Sequence, residues 1–509
     1  MSASFQPIDP RAEASALPFG GEPFRPPDRA TRRRSVPGVP GGRLPSGRTP
    51  EGSFTGAAGG SACGDLIRVS LLPGDGFEVA RVTWEAEGCT AARASTAALA
   101  EIVEGGTFLE AARLGPEVLE RTLGSTGNGT RHATVLACDA LHRALTSIAS
   151  AGVPLAEPSP GRVGVALSGG VDSAVAALML RDGGGEPVAI TVKLWADPQT
   201  DGTKACCSPE AVLSARSLAH SLGIPHFTLD LEESFRSEVV ARFLDGYRSG
   251  TTPNPCIACN GSVRIDAMVE LAERLGAGRL ATGHYATLTD DGEGPLLAEA
   301  GDPDKDQSYM LAGLSPSTAA RLDFPLARTT KVEVRRVAEE NGLPVARKPE
   351  SQDLCFLAGT NKDAFLERQG GLSRRPGPIL DSEGVEVGSH QGHHLFTVGQ
   401  RRGIGVAMGE PRYVTGLDPA TNTVTIGSRN QLLTDRVELR DATLLREGSS
   451  VDRVRLRYRS EPVGATVSAG RGRHDRLEVQ LEQAFAGPAP GQTAVLMRGS
   501  AIVGHGTIE

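Results

Sequence analysis

The chain has 509 residues and a formal net charge of -8, from 53 basic and 61 acidic side chains. This length exceeds what one hydrophobic core organises and predicts about three or four domains, while the mild acidity excludes a globally basic nucleic-acid binder but not a local basic groove. Because no apolar run approaches the roughly 18 residues of a membrane span and no apolar signal segment follows the N-terminus, we expect a cytoplasmic protein with no membrane partner.

The first 55 residues are rich in proline, glycine and arginine and lack apolar periodicity. A segment of this composition cannot bury enough apolar surface to fold. We therefore predict a disordered tail over residues 1–55. Its arginine run, Arg32–Arg34, is interpreted as a solvated charge cluster rather than an RNA contact.

Residues 56–150 show alternating and helical patterns instead. The segments DLIRVSLLP and FEVARVTWEAEG alternate like paired strands, whereas TAARASTAALAEIVEG and HATVLACDALHRALTSIAS have helical spacing. These patterns predict a small α+β domain over 56–150, followed by a linker over 151–160.

The next region begins with an apolar strand, a glycine turn and an Ala/Leu-rich helix, in RVGVALSGGVDSAVAALML. Strand and helix patterns then alternate, which is typical of βαβ units on a parallel sheet. We predict an α/β parallel-sheet domain over 161–370. The remaining sequence is rich in strands and turns and predicts a small central β domain over 371–432 and a C-terminal β-barrel over 433–509. The predicted fold class is therefore multidomain.

The strongest single motif is SGGVDS, Ser168–Ser173, between the first strand and helix of the α/β domain. Two glycines allow close approach of an anion to the backbone, and the helix N-terminus favours negative charge. Asp172 suits Mg²⁺ better than direct phosphate contact. The motif resembles the PP-loop of ATP pyrophosphatases, which bind ATP and release pyrophosphate while adenylating a substrate. The resemblance implies ATP and Mg²⁺ as cofactors.

The segments downstream of this loop resemble the bacterial tRNA-specific 2-thiouridylase family, in the same order and over nearly all of residues 160–509. They are TTPNPCIACN, LATGHYA, KDQSYML, ESQDLCFL, VGSHQGHHLFTVGQRRGIGV, RLRYRSEP and PGQTAV. The resemblance implies ATP-dependent 2-thiolation of the wobble uridine of tRNA. In that reaction the uridine O2 is adenylated, sulfur is transferred to C2, and AMP and pyrophosphate are released.

The resemblance also implies roles for individual residues. Cys259 and Cys355 are the reactive cysteines, Cys355 being the one that forms a persulfide. The ATP site consists of Ala166, Leu167, Ser168, Gly169, Gly170, Val171, Asp172, Ser173, Val192 and Gly283. The residues at tRNA contacts are Asn254, Pro255, Cys256, His284, Lys305, Asp306, Gln307, Arg457, Tyr458 and Gln492. The anticodon arm of tRNA and a cysteine desulfurase, or another sulfur donor, are the implied partners.

One position departs from the family pattern, because Cys256 stands where many members have Asp. Two sulfur-transfer mechanisms follow. In one, a persulfide on Cys355 attacks the adenylated base and Cys259 releases the product through a disulfide. In the other, Cys256, Cys259 and Cys355 hold a 4Fe-4S cluster with one open iron position. We favour the cluster, because the extra thiol has a use there; a structural zinc lacks a fourth ligand at ordinary spacing.

Residues 56–150 resemble the iron-sulfur scaffold proteins of the IscU/NifU type. The resemblance rests on Cys63 and Asp65 in ACGD, on Cys89 in EGCTAARAST, and on RHATVLACDALHRAL. The family's third cysteine aligns with Ala133. The new thiol, Cys138, lies five residues further along the predicted helix, a rotation of roughly 140° and a rise of about 7.5 Å, so it need not replace the lost ligand. His132 is a further candidate ligand.

Three functions for the N-terminal domain follow from that resemblance: cluster assembly, relay of sulfur, and docking of a desulfurase. For the whole chain, the alternative to an active thiolase is an iron-sulfur scaffold or sulfur carrier whose thiolase-like part is not catalytic. The intact SGGVDS and KDQ segments, together with both reactive-site cysteines, favour the enzyme.

Overall fold

The computed structural model describes residues 48–59, 64–124, 128–197, 199, 208–349, 354–357 and 359–509. Most of the predicted tail, residues 1–47, lies outside the described residues. The multidomain fold class is confirmed: an α+β unit precedes a parallel-sheet unit, which is followed by a small sheet and a closed barrel. None of the described helices combines the length and apolar character needed to cross a bilayer.

The first unit is a three-stranded antiparallel meander covered by helices. Its alternating strands pair as their patterns predict, with Val69 opposite Trp84. The first strand begins at Phe54, two residues inside the segment predicted as tail, because it pairs with the second strand and Phe54 packs against the core. The elements are β1 (Phe54–Gly59), β2 (Leu66–Pro73), β3 (Val79–Glu87), α1 (Thr90–Val103), α2 (Phe108–Ala111), α3 (Pro116–Leu123) and α4 (Asn128–Ser150).

The second unit contains a five-stranded, wholly parallel sheet in the order β10-β7-β4-β5-β6. Its strands are β4 (Arg162–Ala166), β5 (Glu186–Lys193), β6 (His226–Asp230), β7 (Leu280–Thr282) and β10 (Leu322–Asp323), with a hairpin of β8 (Thr287–Asp290) and β9 (Pro295–Ala298). Its helices are α5 (Val171–Asp182), α6 (Pro209–Ser221), α7 (Glu232–Phe235), α8 (Ala241–Arg248), α9 (Pro255–Ala258), α10 (Ile265–Arg274), α11 (Ser308–Leu311), α12 (Pro316–Ala319), α13 (Lys331–Glu340) and α14 (Lys362–Gly370).

Two β units complete the chain. The small sheet has the order β12-β11-β14-β13, and the barrel closes because β15 pairs with both β18 and β20. The β8–β9 hairpin of the parallel-sheet unit joins the barrel through the pairing of Ala298 with Ala501. The strands are β11 (Gly377–Leu380), β12 (Glu386–His390), β13 (Tyr413–Asp418), β14 (Thr423–Gly427), β15 (Leu433–Leu444), β16 (Arg453–Arg455), β17 (Val463–Thr466), β18 (Gly472–Ala486), β19 (Thr493–Arg498) and β20 (Ala501–Ile508).

The first unit docks on the edge strand β6 of the parallel sheet. Arg216 on α6 donates to the carboxylate of Asp139 on α4 at 2.8 Å. The carbonyl of Ala112 accepts hydrogen bonds from the backbone N–H of His226 and from Nε2 of His220, both at 3.1 Å. The polar groups that attach the two units to each other are buried or half-buried and are hydrogen-bonded. Their pairing makes the docking specific.

This docking surface predicts acid sensitivity. Burial, reinforced by the Arg216 guanidinium, lowers the pKa of His220 to about 4 and that of His142 and His226 well below the usual range. The unfolded chain takes up these protons as the pH falls below about 6.5, so the folded state loses stability between that pH and about 4. We expect the thermal midpoint to fall by several degrees between pH 7.5 and pH 5.

The matched variant is His220→Gln, whose amide can still donate to the Ala112 carbonyl but does not titrate. We expect thermal unfolding followed by circular dichroism to show a smaller pH dependence for this variant than for the wild type. Identical pH dependence in the two proteins would contradict this explanation.

Candidate functional site

The glycine loop, Ser168–Ser173, connects β4 to α5 and is fixed by its own serines. The Ser173 hydroxyl donates to the carbonyl of Gly170 at 3.1 Å and accepts from the backbone N–H of Ser168, also at 3.1 Å. Gly169 has a φ of +69°, a conformation that glycine adopts without strain. Helix α5 has no side-chain cap, so its first N–H groups face the loop. The arrangement suits a bound anion.

The other residues predicted for the nucleotide converge on the same edge of the sheet. Ala166 ends β4, Val192 is buried near the end of β5, and Gly283 follows β7 directly. A Cβ at Gly283 would lie 2.7 Å from the backbone nitrogen of Ser173 and 2.8 Å from the carbonyl carbon of Asp172. Only glycine lets β7 approach the loop this closely. Carboxyl edges of parallel sheets are common ligand sites.

Two lysines that the sequence did not single out contact the glycine loop. The ammonium group of Lys331 lies 2.7 Å from both carboxylate oxygens of Asp172, and the Tyr285 hydroxyl donates to the same carboxylate at 2.9 Å. The ammonium group of Lys348 donates to the carbonyl of Gly169 at 2.9 Å. The loop therefore carries two positive charges in addition to its helix N-terminus.

Of the two lysine contacts with the glycine loop, only that of Lys331 had a weak signal in the sequence. Lys331 is the first residue of α13, behind the capping box of Thr330 and Glu333. A positive charge at a helix N-terminus is unfavourable because the helix dipole is positive there. A lysine at this position therefore indicates that a carboxylate from another part of the chain pairs with it. Lys348 lies in an exposed segment with no pattern that predicts its contact.

The segment 255–274 places the predicted base-contact residues at the start of a continuous helical stretch. Asn254 caps it, accepting a hydrogen bond from the backbone N–H of Cys256 at 3.1 Å, and Pro255 occupies the first position. Proline is favoured there because its missing N–H would have had no helical partner. The cap fixes the backbone around Cys256.

Cys259 lies three residues after Cys256, so the two thiols share a face of the helix. At Cys259 the helix changes to a π-helical turn, Cys259–Arg264, before α10 continues. Such turns inside α-helices are frequent at functional sites. Cys259 is buried, with 7% of the residue exposed, whereas Cys256 is half-buried.

Cys355 begins a 3-10 turn, Cys355–Leu357, that is anchored by its neighbour Phe356. The Phe356 ring lies 5.1 Å from the Phe243 ring and 5.9 Å from the Phe235 ring. Phe243 and Phe235 belong to the same hydrophobic core as Cys259, and Cys355 packs against that core. The Phe356 anchor therefore fixes the position of Cys355 at the margin of this core.

His284 is held as a neutral imidazole. Its Nε2 lies 3.2 Å from Nη2 of Arg264, which can only donate, so Nδ1 carries the proton and donates to the Thr282 hydroxyl at 2.9 Å. Burial, followed by the Arg264 charge, lowers the pKa of His284 to about 3. This geometry suits a positioning group rather than a proton donor.

The KDQ segment has two inward-facing members. The Asp306 carboxylate accepts from the Arg455 guanidinium of the barrel at 3.0 Å. The side-chain oxygen of Gln307 accepts from the backbone N–H of Tyr285 at 3.1 Å. Lys305 is half-buried. The predicted tRNA contact at Asp306 would therefore act through a residue that also joins the parallel-sheet unit to the barrel, whereas Gln307 bonds within the parallel-sheet unit.

The barrel residues predicted to contact tRNA also approach the cysteine segment. The Gln492 amide donates to the carbonyl of Thr252 at 2.6 Å, immediately before the capped helix. Burial and, to a smaller extent, nearby Cys256 raise the pKa of the Tyr458 phenol. The Arg457 guanidinium donates to the carbonyl of Ala486 at 3.2 Å.

A separate cluster in the first unit, which we term the N-terminal ligand group, consists of Asp65, Cys89 and His132. Oδ2 of Asp65 lies 3.2 Å from the Cys89 sulfur and 3.0 Å from Nε2 of His132, while its Oδ1 accepts from the Cys89 backbone at 2.7 Å. The ligand atoms lie within 4.8 Å of one another, a spacing suited to one metal ion. A Cβ at Gly88 would collide with Asp65, which explains the glycine before Cys89.

The other cysteines do not form such a group within the part of the chain that the structure describes. Cys138 is buried in the core, and burial raises the pKa of its thiol. Ala133 is fully buried beside His132. Cys63 lies outside the described residues. The sulfurs of Cys256, Cys259 and Cys355 are also not close enough together to be ligands of one metal ion. A 4Fe-4S cluster would bind each sulfur at a different iron atom.

Four protein families match consecutive parts of the chain. Residues 45–151 match the NifU-like N terminal domain, and residues 161–359 match the tRNA methyl transferase HUP domain. Residues 363–428 match the tRNA methyl transferase PRC-barrel domain, and residues 438–508 match the aminomethyltransferase beta-barrel domain. Together they cover the four structural units.

Curated relatives match over long alignments. A bifunctional protein NifU/MnmA from Rubrobacter xylanophilus is 43% identical over 90% of this chain and 94% of its own length. The tRNA-specific 2-thiouridylase MnmA of Sorangium cellulosum is 43% identical, covering 70% of this chain and 94% of its own. The corresponding protein of Thermus thermophilus is 41% identical, covering 68% of this chain and 95% of its own.

Proposed function

The chain belongs to the MnmA family of tRNA-specific 2-thiouridylases, in the form that carries a NifU-like N-terminal domain, and on this premise we propose how its residues thiolate tRNA. It is a tRNA-uridine 2-sulfurtransferase that uses ATP to replace O2 of the wobble uridine by sulfur. The single observation that carries this function is the long match to relatives of that name. The glycine loop, whose geometry fits a nucleotide, agrees with it. We propose that the protein acts in the cytoplasm, where its tRNA substrate is found.

The glycine loop fits the ATP that the reaction needs. Its uncapped helix, its positive φ at Gly169 and two lysine ammonium groups provide donors and positive charge for a phosphate chain. The Asp172 carboxylate is an oxygen ligand of the kind Mg²⁺ prefers. Bound Mg²⁺ would neutralise charge as O2 of the uridine attacks the α-phosphorus and pyrophosphate leaves.

The cysteine segment and the barrel suit the tRNA side of the reaction. Cys256 at the capped helix start lies near Tyr458 of the barrel, and Gln492 contacts the loop that leads to it. A base presented there must leave its stack to reach the adenylating site. We propose that Arg457, Tyr458 and Gln492 bind the anticodon arm and that the segment from Asn254 to Cys256 contacts the target base.

We propose two alternative routes by which the sulfur atom reaches the base. In the cluster route, Cys256, Cys259 and Cys355 bind iron, and the cluster would supply an open iron position for a sulfide. In the persulfide route, a desulfurase loads Cys355. The persulfide's outer sulfur then attacks C2, AMP leaves with the original oxygen, and Cys259 attacks the C2-bound disulfide, leaving 2-thiouridine and a Cys259–Cys355 disulfide. We favour the cluster route, because it uses all three thiols.

We propose that the N-terminal ligand group holds a metal ion or receives sulfur for transfer to the thiolase. The donor set of one thiolate, one imidazole and one carboxylate matches Zn²⁺ and Fe²⁺ chemistry. A cysteine desulfurase is the proposed donor partner. The exposed position of Cys89 at the start of α1 leaves its sulfur accessible to that partner.

The ligand group predicts a measurable metal site. Replacing Cys89 by Ala should weaken Zn²⁺ binding by about a hundredfold, because it removes the thiolate from a three-residue set. Competition with a colorimetric chelator measures the affinity on the full chain. Glu85→Gln, an exposed carboxylate in the same unit, should leave it unchanged. Equal affinity in the wild type and Cys89→Ala would show that the metal binds elsewhere.

The function itself is tested by incubating the protein, purified without oxygen, with unmodified tRNA, ATP, Mg²⁺ and sulfide. Digestion to nucleosides and mass spectrometry should detect 2-thiouridine only when ATP is present. A wild-type protein that binds iron and sulfide but neither thiolates tRNA nor consumes ATP in its presence would instead be a scaffold or carrier with a non-catalytic thiolase-like part.

A further inference from the structure

The ion pair between Asp172 and Lys331 occupies the carboxylate that Mg²⁺ is expected to use. The lysine ammonium lies 2.7 Å from each carboxylate oxygen, so both ligand atoms are engaged at once. The Lys331 side chain is largely buried, with 9% of the residue exposed. This contact joins residues that are 159 positions apart.

Lys331 is held in place by the backbone around it. Its N–H donates to the Asp302 carboxylate at 3.0 Å, and the Thr330–Glu333 capping box fixes the start of α13. A lysine in this position has to oppose the helix dipole, so the Asp172 carboxylate compensates an otherwise unfavourable site. The pairing is therefore built into the fold rather than formed by a mobile surface side chain.

An ammonium group and a magnesium ion compete for the same carboxylate oxygens. The phosphate chain of ATP adds negative charge beside the Asp172 carboxylate. The Lys331 ammonium balances the carboxylate alone, but a second cation is needed to balance the carboxylate and the phosphate chain together. Lysine has a flexible four-carbon stem and suits phosphate as a point charge. The ammonium of Lys331 is near enough to the loop to change partner when a metal takes the carboxylate.

We propose that Lys331 is a placeholder cation for the nucleotide site. In the nucleotide-free protein it holds Asp172; when a magnesium–nucleotide complex binds, the Asp172 carboxylate would bind the metal and the Lys331 ammonium would move to the phosphate chain. Metal and nucleotide consequently bind together, and the nucleotide-free protein does not collect Mg²⁺ at Asp172. This inference rests on the proposed function, because ATP is the ligand it concerns.

The test uses Mn²⁺ as a paramagnetic probe and a non-hydrolysable ATP analogue on the full chain. Without nucleotide, Lys331→Met should bind Mn²⁺ at least about tenfold more tightly than the wild type, and the second substitution Asp172→Asn should remove that gain. With Mn²⁺ present, Lys331→Met should bind the analogue about tenfold to a hundredfold more weakly, the loss expected for a charge-assisted hydrogen bond. Lys331→Arg, which keeps the charge, should retain most of the affinity.

Arg336→Met is the matched control, because Arg336 lies on the same helix in an exposed pair with Glu340. It should change neither affinity. Lys331→Gln, which keeps a donor for Asp172, replaces Lys331→Met if circular dichroism shows the latter to be unfolded. The proposal is overturned if Lys331→Met, or the Lys331→Gln that replaces it, gains no Mn²⁺ site or binds the analogue as tightly as the wild type. A wild-type protein that binds no analogue would refute the proposed function instead.

Discussion

Replacing Cys355 by Ser should reduce formation of 2-thiouridine by roughly 10⁴-fold, the scale of losing an essential nucleophile. A hydroxyl group can neither carry a persulfide nor act as a soft ligand for iron. Because adenylation of the uridine uses the glycine loop and needs no sulfur, and Cys355 lies on a separate 3-10 turn, tRNA-dependent pyrophosphate release should persist. Mass spectrometry of nucleosides and a pyrophosphate assay measure the two steps separately.

The companion variant Cys256→Ser distinguishes the two sulfur routes. Under the cluster route it should lose iron and thiolation together; under the persulfide route it should retain thiolation with a desulfurase as donor. Ser262→Ala, exposed on the same helical stretch, should leave both measurements unchanged. Full thiolation by Cys355→Ser would contradict both routes.

Gly283→Ala should lower ATP affinity by about a hundredfold. The added Cβ would lie 2.7 Å from the backbone nitrogen of Ser173 and 2.8 Å from the carbonyl carbon of Asp172, and no rotamer change relieves contact with main-chain atoms. Either β7 or the glycine loop must move, which displaces the donors from the phosphate chain. Binding of a fluorescent ATP analogue measures the change.

Gly278 supplies the matched control, because a Cβ there meets nothing within 4 Å. Gly278→Ala should bind the analogue as the wild type does, and both variants should be compared for thermal stability. If Gly283→Ala kept full affinity, the close approach of β7 would have no role in shaping the nucleotide site.

Local patterns were sufficient for the individual units. The glycine pair between a strand and a helix predicted the loop at Ser168–Ser173, and alternation predicted the pairing of β2 with β3. The turn at Gly169 follows from local chemistry, since only glycine adopts its φ of +69° without strain. These features depend on neighbours in the chain, which the sequence displays directly.

Contacts between distant residues could not be read in the same way. Lys331 and Lys348 reach the glycine loop from 159 and 179 positions away. No periodicity encodes either contact, because each depends on how α13 and the segment after it pack against α5. The same holds for the histidines between the first unit and β6, whose burial arises only after the two units dock.

Packing also gives some residues that the motifs singled out a role within the fold. Asp306 bonds to Arg455 of the barrel, and Gln492 bonds to Thr252 beside the cysteine helix. A motif draws attention to such residues but does not distinguish a contact with tRNA from a contact within the fold. In this chain the same side chains join the catalytic unit to the barrel.

The proposed order of adenylation and sulfur attack is tested most directly by following the oxygen atom of the target uridine. Transfer RNA carrying ¹⁸O at O2 of the wobble uridine is incubated with the protein, ATP, Mg²⁺ and a sulfur donor, and the AMP is analysed by mass spectrometry. Adenylation of O2 before sulfur attack predicts one ¹⁸O in each AMP, formed in equal amount to 2-thiouridine. Thiolated tRNA accompanied by unlabelled AMP would contradict the proposed order of steps.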